Sequence, residues 1–173
     1  MANYYKIFVD EYNFYTSNLH KNFIFLRSLK AFFTSPAFRL IVILRIRRFS
    51  ILPDFLFSNY LLDHFAVDIN KNANLGKCLR FAHIPGIVIG SGSIIGDNCI
   101  LFNGILIGQS HGKYPLIGNN VTICSNASIY GDVKIGDNCI ILANSVVTHD
   151  IPSNTIAGGI PAKVIKEKGS IKV

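Results

Sequence analysis

The chain has 173 residues, half of them hydrophobic, with 14 glycines, no tryptophan and a formal net charge of +7. That length holds one domain, or one domain with an extension, and the apolar share is enough for a sizeable core. The basic balance points to an anionic partner, but the cations are scattered and no nucleic-acid recognition motif accompanies them. The phosphates of a small cofactor account for a few lysines, so nucleic acid is not expected as a partner.

Residues 1–22 are aromatic and polar without a clean period, and read as a short helix or a loose arm. The apolar run Phe38-Arg-Leu-Ile-Val-Ile-Leu44 follows, cut off by Arg45, Arg47 and Arg48. It is too short to cross a bilayer, which takes about 20 residues. Leu40, Ile43, Leu44 and Ile46 share a helical face, so the spacing predicts a helix over 37–49 with Pro36 in its first turn. Residues 1–64 are therefore expected to be a helical extension that caps whatever follows. The alternative is a basic, aromatic surface making peripheral contact with an anionic membrane.

From residue 65 a different beat takes over. Ile69, Leu75 and Phe81, then Ile89, Ile95, Leu101 and Ile107, then Ile117, Ile123, Ile129, Ile135, Ile141 and Val147 recur at an interval of six. A second slot four places on holds Ala73, Leu79, Ser93, Cys99, Ile105, Val121, Ala127, Val133, Cys139 and Ser145. A helix repeats its face every 3.6 residues and a strand every 2, so six is a poor match to a helix over this length. It fits short strands that turn a corner each time, with Gly, Asn, Asp and Ser at the corners: a solenoid. The beat breaks twice, between Phe81 and Ile89 with His83 inside, and between Ile107 and Ile117 with His111 inside. Such interruptions map to loops, where functional groups lie. The second gives an expected excursion loop over 108–116. The solenoid is expected over 65–163, with a basic tail over 164–173 in which Lys166, Lys168 and Lys172 face one Glu167.

Cys78, Cys99, Cys124 and Cys139 show no CxxC spacing, and Cys99 and Cys139 fall in the inward slot as small apolar residues. Reduced thiols and the absence of a signal peptide point to the cytoplasm.

Phe65-Ala-Val-Asp-Ile69, Ala73-Asn-Leu-Gly76, His83 before Gly86-Ile-Val-Ile-Gly90, and Ala157-Gly-Gly-Ile-Pro-Ala-Lys163 carry a resemblance to the hexapeptide-repeat acyltransferases. The serine acetyltransferase branch is the nearest match. The resemblance implies a mainly β fold, a left-handed parallel β-helix of triangular section, usually assembled as a homotrimer, with a shorter helical N-terminal region than the family has. It implies acetyl-CoA as the acyl donor and direct transfer to a hydroxyl, with no covalent enzyme intermediate.

Such a transfer needs a base for the hydroxyl, and a neutral imidazole suits that task at pH 7. His83 aligns with the family's catalytic histidine, and Asp68 with the aspartate that fixes its tautomer. Gly108, Ser125 and Ala143 are the small residues expected along the pantetheine groove, and Lys163 corresponds to a basic residue near the cofactor's phosphates. Lys113 and Tyr114 align with an Arg-His pair that meets the acceptor, and His111 is a further acceptor candidate. A turn or solvated loop residue is the plainer reading at each position.

The chain departs from the family at Ala82, where serine acetyltransferases carry an aspartate that handles the amino group of serine. A zwitterion without its ammonium partner loses on the order of 1–3 kcal/mol. The expected acceptor is therefore a sugar hydroxyl of a surface polysaccharide or its precursor. Serine O-acetylation, as in cysteine biosynthesis, is the alternative. A non-catalytic or metal-binding solenoid of the γ-class carbonic anhydrase type needs three histidines meeting across an interface. His83, His111 and His149 lack that family's closely spaced pair, so no metal is expected.

Overall fold

The computed structural model describes residues 32–47, 50 and 53–168. The expectations for residues 1–22, for the end of the predicted helix at 48–49 and for the last residues of the tail lie outside them. Two helices come first, α1 (Pro36–Arg47) and α2 (Asp54–Phe65). Ala66, in a left-handed conformation, ends α2 and donates to the carbonyls of Leu61 and Leu62. A solenoid follows. Its first coil is β1 (Asp68–Ile69), β2 (Asn74–Leu75) and β3 (Arg80–Phe81), and its second β4 (Val88–Ile89), β5 (Ile94–Ile95) and β6 (Ile100–Leu101). Then come β7 (Leu106–Gly108), β8 (Leu116–Ile117) and β9 (Thr122–Ile123), and below them β10 (Ser128–Tyr130), β11 (Lys134–Ile135) and β12 (Ile140–Ile141). β13 (Val146–Val147), β14 (Thr155–Gly159) and β15 (Ala162–Glu167) finish the chain.

Every third strand stacks in parallel register, which makes three flat faces. Face one is β1-β4-β7-β10-β13, face two β2-β5-β8-β11, and face three β3-β6-β9-β12-β14 with β15 added antiparallel. This is a parallel β-solenoid, consistent with the left-handed β-helix that the repeat implies. The residues on the six-residue beat point inward: Ile89, Ile107, Ile123, Ile129, Ile141 and Val147 are all buried, as are the second-slot Cys99, Val121, Ala127, Cys139 and Ser145. Burying each large aliphatic chain is worth about 1.5–3 kcal/mol, so the ladder itself is the core.

The corner between faces two and three shows why the intervening residues are Gly, Asp and Asn. Lys77 N donates to Asp97 Oδ1 at 2.7 Å, Asp97 N to Asn119 Oδ1 at 2.8 Å, Asn119 N to Asp137 Oδ1 at 2.6 Å and Asp137 N to Ser153 Oγ at 3.0 Å. Each side chain thus satisfies a corner N–H of the coil above, which the strand ladder does not reach. The next residue, Asn98, Asn120, Asn138 or Asn154, takes positive φ. The preceding glycine is required by close approach: a β-carbon on Gly118 would lie 2.9 Å from Asp137 N.

The helices sit on the first coil. Arg45 donates to the carbonyls of Leu75 (2.8 Å) and Gly76, and Arg47 to that of Ile69 at 2.6 Å. These guanidiniums therefore point at the carbonyls of the coil's open end, and Arg47 is buried. At the other end, the tail expected over 164–173 differs from what is found. Residues 164–167 belong to β15, which pairs with β14. The hydrophobic beat stops there, but the strand edge still needs hydrogen-bond partners, and an antiparallel strand supplies them.

Candidate active site

Two of the prism's corners carry the candidate residues. At the corner between faces three and one, His83 lies exposed in the bend between β3 and β4. Its ring centroid is 6.0 Å from that of Phe102, one coil below. Asp68 is the outward residue of β1, paired with Val88, and its N–H donates to the Ile87 carbonyl at 2.9 Å. Gly86 N, three residues after His83, donates to the Ala66 carbonyl. Asp68 and the His83 bend are therefore neighbours, though no hydrogen bond joins the two side chains among the described residues.

Down the same corner run the small residues. Gly104 N donates to the Pro85 carbonyl, Asn126 N to that of Asn103 and Asn144 N to that of Ser125, so Asn103, Ser125 and Ala143 descend in a column beneath the His83 bend. Ser125 Oγ donates to Asn103 Oδ1 at 2.9 Å. The β14–β15 hairpin lies at the foot of this column: Gly159 N donates to Ser145 Oγ at 3.3 Å, and Lys163, exposed, pairs with Gly158.

The corner between faces one and two holds the rest. Gly108 ends β7, and the excursion runs from there to β8. His111, exposed with φ of 51°, has Nδ1 3.0 Å from Ser110 Oγ. Tyr114 lies flat over the turn Gly90-Ser91-Gly92, where a β-carbon on Gly90 would meet its Cε1 at 2.8 Å, and its hydroxyl accepts from Ser91 Oγ at 2.9 Å. Tyr114, an expected acceptor contact, is engaged within the chain, where it pins the loop to the coil above. Lys113 Nζ sits 2.5 Å from Asp132 Oδ2, both side chains about two-thirds exposed (65% and 63%). The hydrogen bond to Asp132, with the attraction of opposite charges, holds the Lys113 ammonium above its usual range and the Asp132 carboxyl below its own. Sequence reasoning missed Asp132, one of the Gly, Asn, Asp and Ser residues between the beats. Its partner lies 19 residues earlier, a separation that leaves no local pattern.

The two groups flank opposite ends of face one. At about 3.3 Å per residue, the run from Gly86 to Gly90 separates the corners by on the order of 15 Å. One chain does not bring His83 and Lys113 onto one small acceptor. Among the described residues no three His, Cys, Asp or Glu side chains cluster to hold a metal ion.

Residues 114–149 match the family model described as bacterial transferase hexapeptide (six repeats). A serine acetyltransferase of Synechococcus elongatus is 38% identical over 107 residues, covering 60% of this chain and 44% of that protein. Among solved structures, Neisseria gonorrhoeae serine acetyltransferase in complex with serine superposes with a TM-score of 0.78 at 28% identity, over 95% of this chain and 70% of that one. A serine acetyltransferase complex with CoA superposes with a TM-score of 0.69 at 30% identity, over 74% of this chain and 56% of that one. The solenoid and its six-residue beat define a parallel β-solenoid, and these matches show that it is similar to hexapeptide-repeat proteins of the bacterial-transferase kind. Within that kind the chain resembles the serine acetyltransferase branch, and it spans half or less of the length of the curated relatives it matches.

These matches overturn the expected sugar acceptor and its place in polysaccharide synthesis, because the relatives are serine acetyltransferases. The argument from Ala82 weighed one corner only, and the other corner carries an acid, Asp132, beside Lys113.

Proposed function

We propose that the chain is an acetyl-CoA-dependent serine O-acetyltransferase. The observation that carries this is the 38% identity with a serine acetyltransferase over 107 residues, in a chain whose break in the solenoid exposes His83. The His83 imidazole accepts the serine hydroxyl proton as the oxygen attacks the thioester carbonyl. A carbon–oxygen bond forms, the carbon–sulfur bond breaks, and the imidazolium returns the proton to the departing CoA thiolate. Asp68 orients the ring. Asn103, Ser125 and Ala143 line the pantetheine path below, with Lys163 near the phosphates and Gly108 on the opposing wall.

The site needs two copies. A corner carrying His83 must meet the corner of a neighbour carrying Lys113 and His111, a head-to-tail contact between unlike surfaces. Such a contact closes on itself as a ring, and a homotrimer suits a three-sided prism. The four cysteines are free thiols, which supports a cytoplasmic setting. The test is acetyl-CoA turnover with free serine, read as thiol release, together with the mass of the purified assembly. Serine-dependent thiol release by a trimer is the expected result. An active monomer overturns the shared site, and turnover on other hydroxyls but not on serine overturns the acceptor.

A further inference from the structure

We infer that Asp132 and Lys113 together form the receptor for the charged ends of an α-amino acid acceptor, Asp132 taking the ammonium and Lys113 the carboxylate. This deepens the serine reading and rests on it. A zwitterion needs one fixed anion and one fixed cation close together. Ala82 leaves the three–one corner no carboxylate directly beside the base, and Asp68, on β1, is the ring's orienting group in the proposed mechanism. Of the ion pairs described, Arg47–Asp54 ties the two helices together, with the Arg47 side chain 3% exposed. Lys113–Asp132 is the pair that is open to solvent, Lys113 on the excursion and Asp132 in the turn between β10 and β11, at the corner that faces a neighbour's His83 in the proposed ring.

The pair is also placed to change partners. An ion pair exposed on both sides contributes little to stability, so little is lost when it opens. An incoming amino acid replaces one ion contact with two: its ammonium against Asp132 Oδ, its carboxylate against Lys113 Nζ. The loop is held meanwhile by Tyr114 on Ser91 and by the Ser110–Lys113 backbone bridge, so it does not depend on the ion pair.

The test uses the full chain with acetyl-CoA and two acceptors, serine and 3-hydroxypropionate, which lacks only the amino group. For Asp132→Asn, kcat/KM for serine should fall at least 10-fold, through KM, while kcat/KM for 3-hydroxypropionate stays within about twofold. Asp132→Glu should recover most of the loss. Lys113→Met gives a second readout: kcat/KM should fall on both acceptors, because both carry the carboxylate that Lys113 contacts. Equal losses for Asp132→Asn on both acceptors, no loss for it on serine, or no loss for Lys113→Met on either acceptor would overturn the receptor. A native chain that turns over other hydroxyls but not serine removes the serine reading itself, a result distinct from any of these.

Discussion

The Arg47 guanidinium grips Asp54 through two hydrogen bonds, Nε to Oδ1 at 2.7 Å and Nη2 to Oδ2 at 2.9 Å, while its Nη1 donates to the Ile69 carbonyl at 2.6 Å. One buried side chain thus ties α1 to α2 and both to the first strand of the solenoid. Arg47→Met keeps much of the apolar stem but leaves Asp54 and the Ile69 carbonyl without their donor. We expect a loss of about 2–3 kcal/mol in urea unfolding, below the usual figure for breaking a buried pair because Asp54 retains contact with water.

The same pair sets a pH dependence. The hydrogen bond from Arg47 holds the Asp54 carboxyl below its ordinary 3.8, against an opposing push from burial. A depressed carboxylate stabilises the fold above its unfolded pKa, and that contribution disappears as pH falls through the folded value. The stability gap between the native chain and Arg47→Met should therefore be full at pH 5–7 and narrow below about pH 4. A gap that is constant down to pH 2 would show that Asp54 carries none of it.

How far the sequence reveals this molecule depends on the range of each interaction. The inward ladder from Ile69 to Val147 was legible because burial repeats every six residues and needs no partner to be seen. The break holding His83 was legible for the same reason, as a fault in that beat, and the helix of Pro36–Arg47 appeared at its expected place. What stayed hidden joins one coil to another. Tyr114 reaches Ser91 across 23 residues, Lys113 reaches Asp132 across 19, and Arg45 reaches Leu75 across 30. For the same reason Ala82 was weighed alone, without the acid on another corner.

The two inward cysteines should be chemically silent. Burial pushes the Cys99 thiol up to about 11, and its Sγ lies 3.2 Å from the Gly118 carbonyl. At pH 8 only about 10⁻³ of such a group is thiolate, the reactive form. Iodoacetamide should label Cys78 and Cys124, which are half-buried, well before Cys99 and Cys139, with all four labelled in urea. Peptide mass mapping over time checks the order. Early labelling of Cys99 would mean that the coil opens locally.

Tyr114 anchors the excursion by shape as well as by its hydroxyl. A β-carbon on Gly92 would come within 2.7 Å of Tyr114 Cγ, so Gly92→Ala pushes the ring off its seat. Acceptor kcat/KM should fall on the order of 10–100-fold, because small misplacements of a substrate-holding group are costly. Tyr114→Phe removes only the bond to Ser91, worth about 1 kcal/mol, and should be far milder. Steady-state kinetics on the two variants separates shape from hydrogen bonding; equal effects would contradict the packing account.

His83 and Asp68 can be tested as a unit. His83 is exposed in a bend, so His83→Ala should leave thermal unfolding nearly unchanged, within about 0.5 kcal/mol. Its loss as base should lower kcat by about 10²–10⁴. Asp68→Asn keeps size while removing the charge that favours the productive tautomer, so it too should lower kcat. Groups that act together are not additive, and the double variant should be no slower than His83→Ala alone. Independent, multiplying losses would assign Asp68 a separate task, such as contact with the acceptor. The two side chains are not hydrogen-bonded in the free chain, and catalytic bonds of this kind tighten in the substrate complex. A solvent-exchange measurement of the His83 ring N–H with and without CoA and acceptor therefore offers a direct check: protection should appear only in the complex, and only with Asp68 intact.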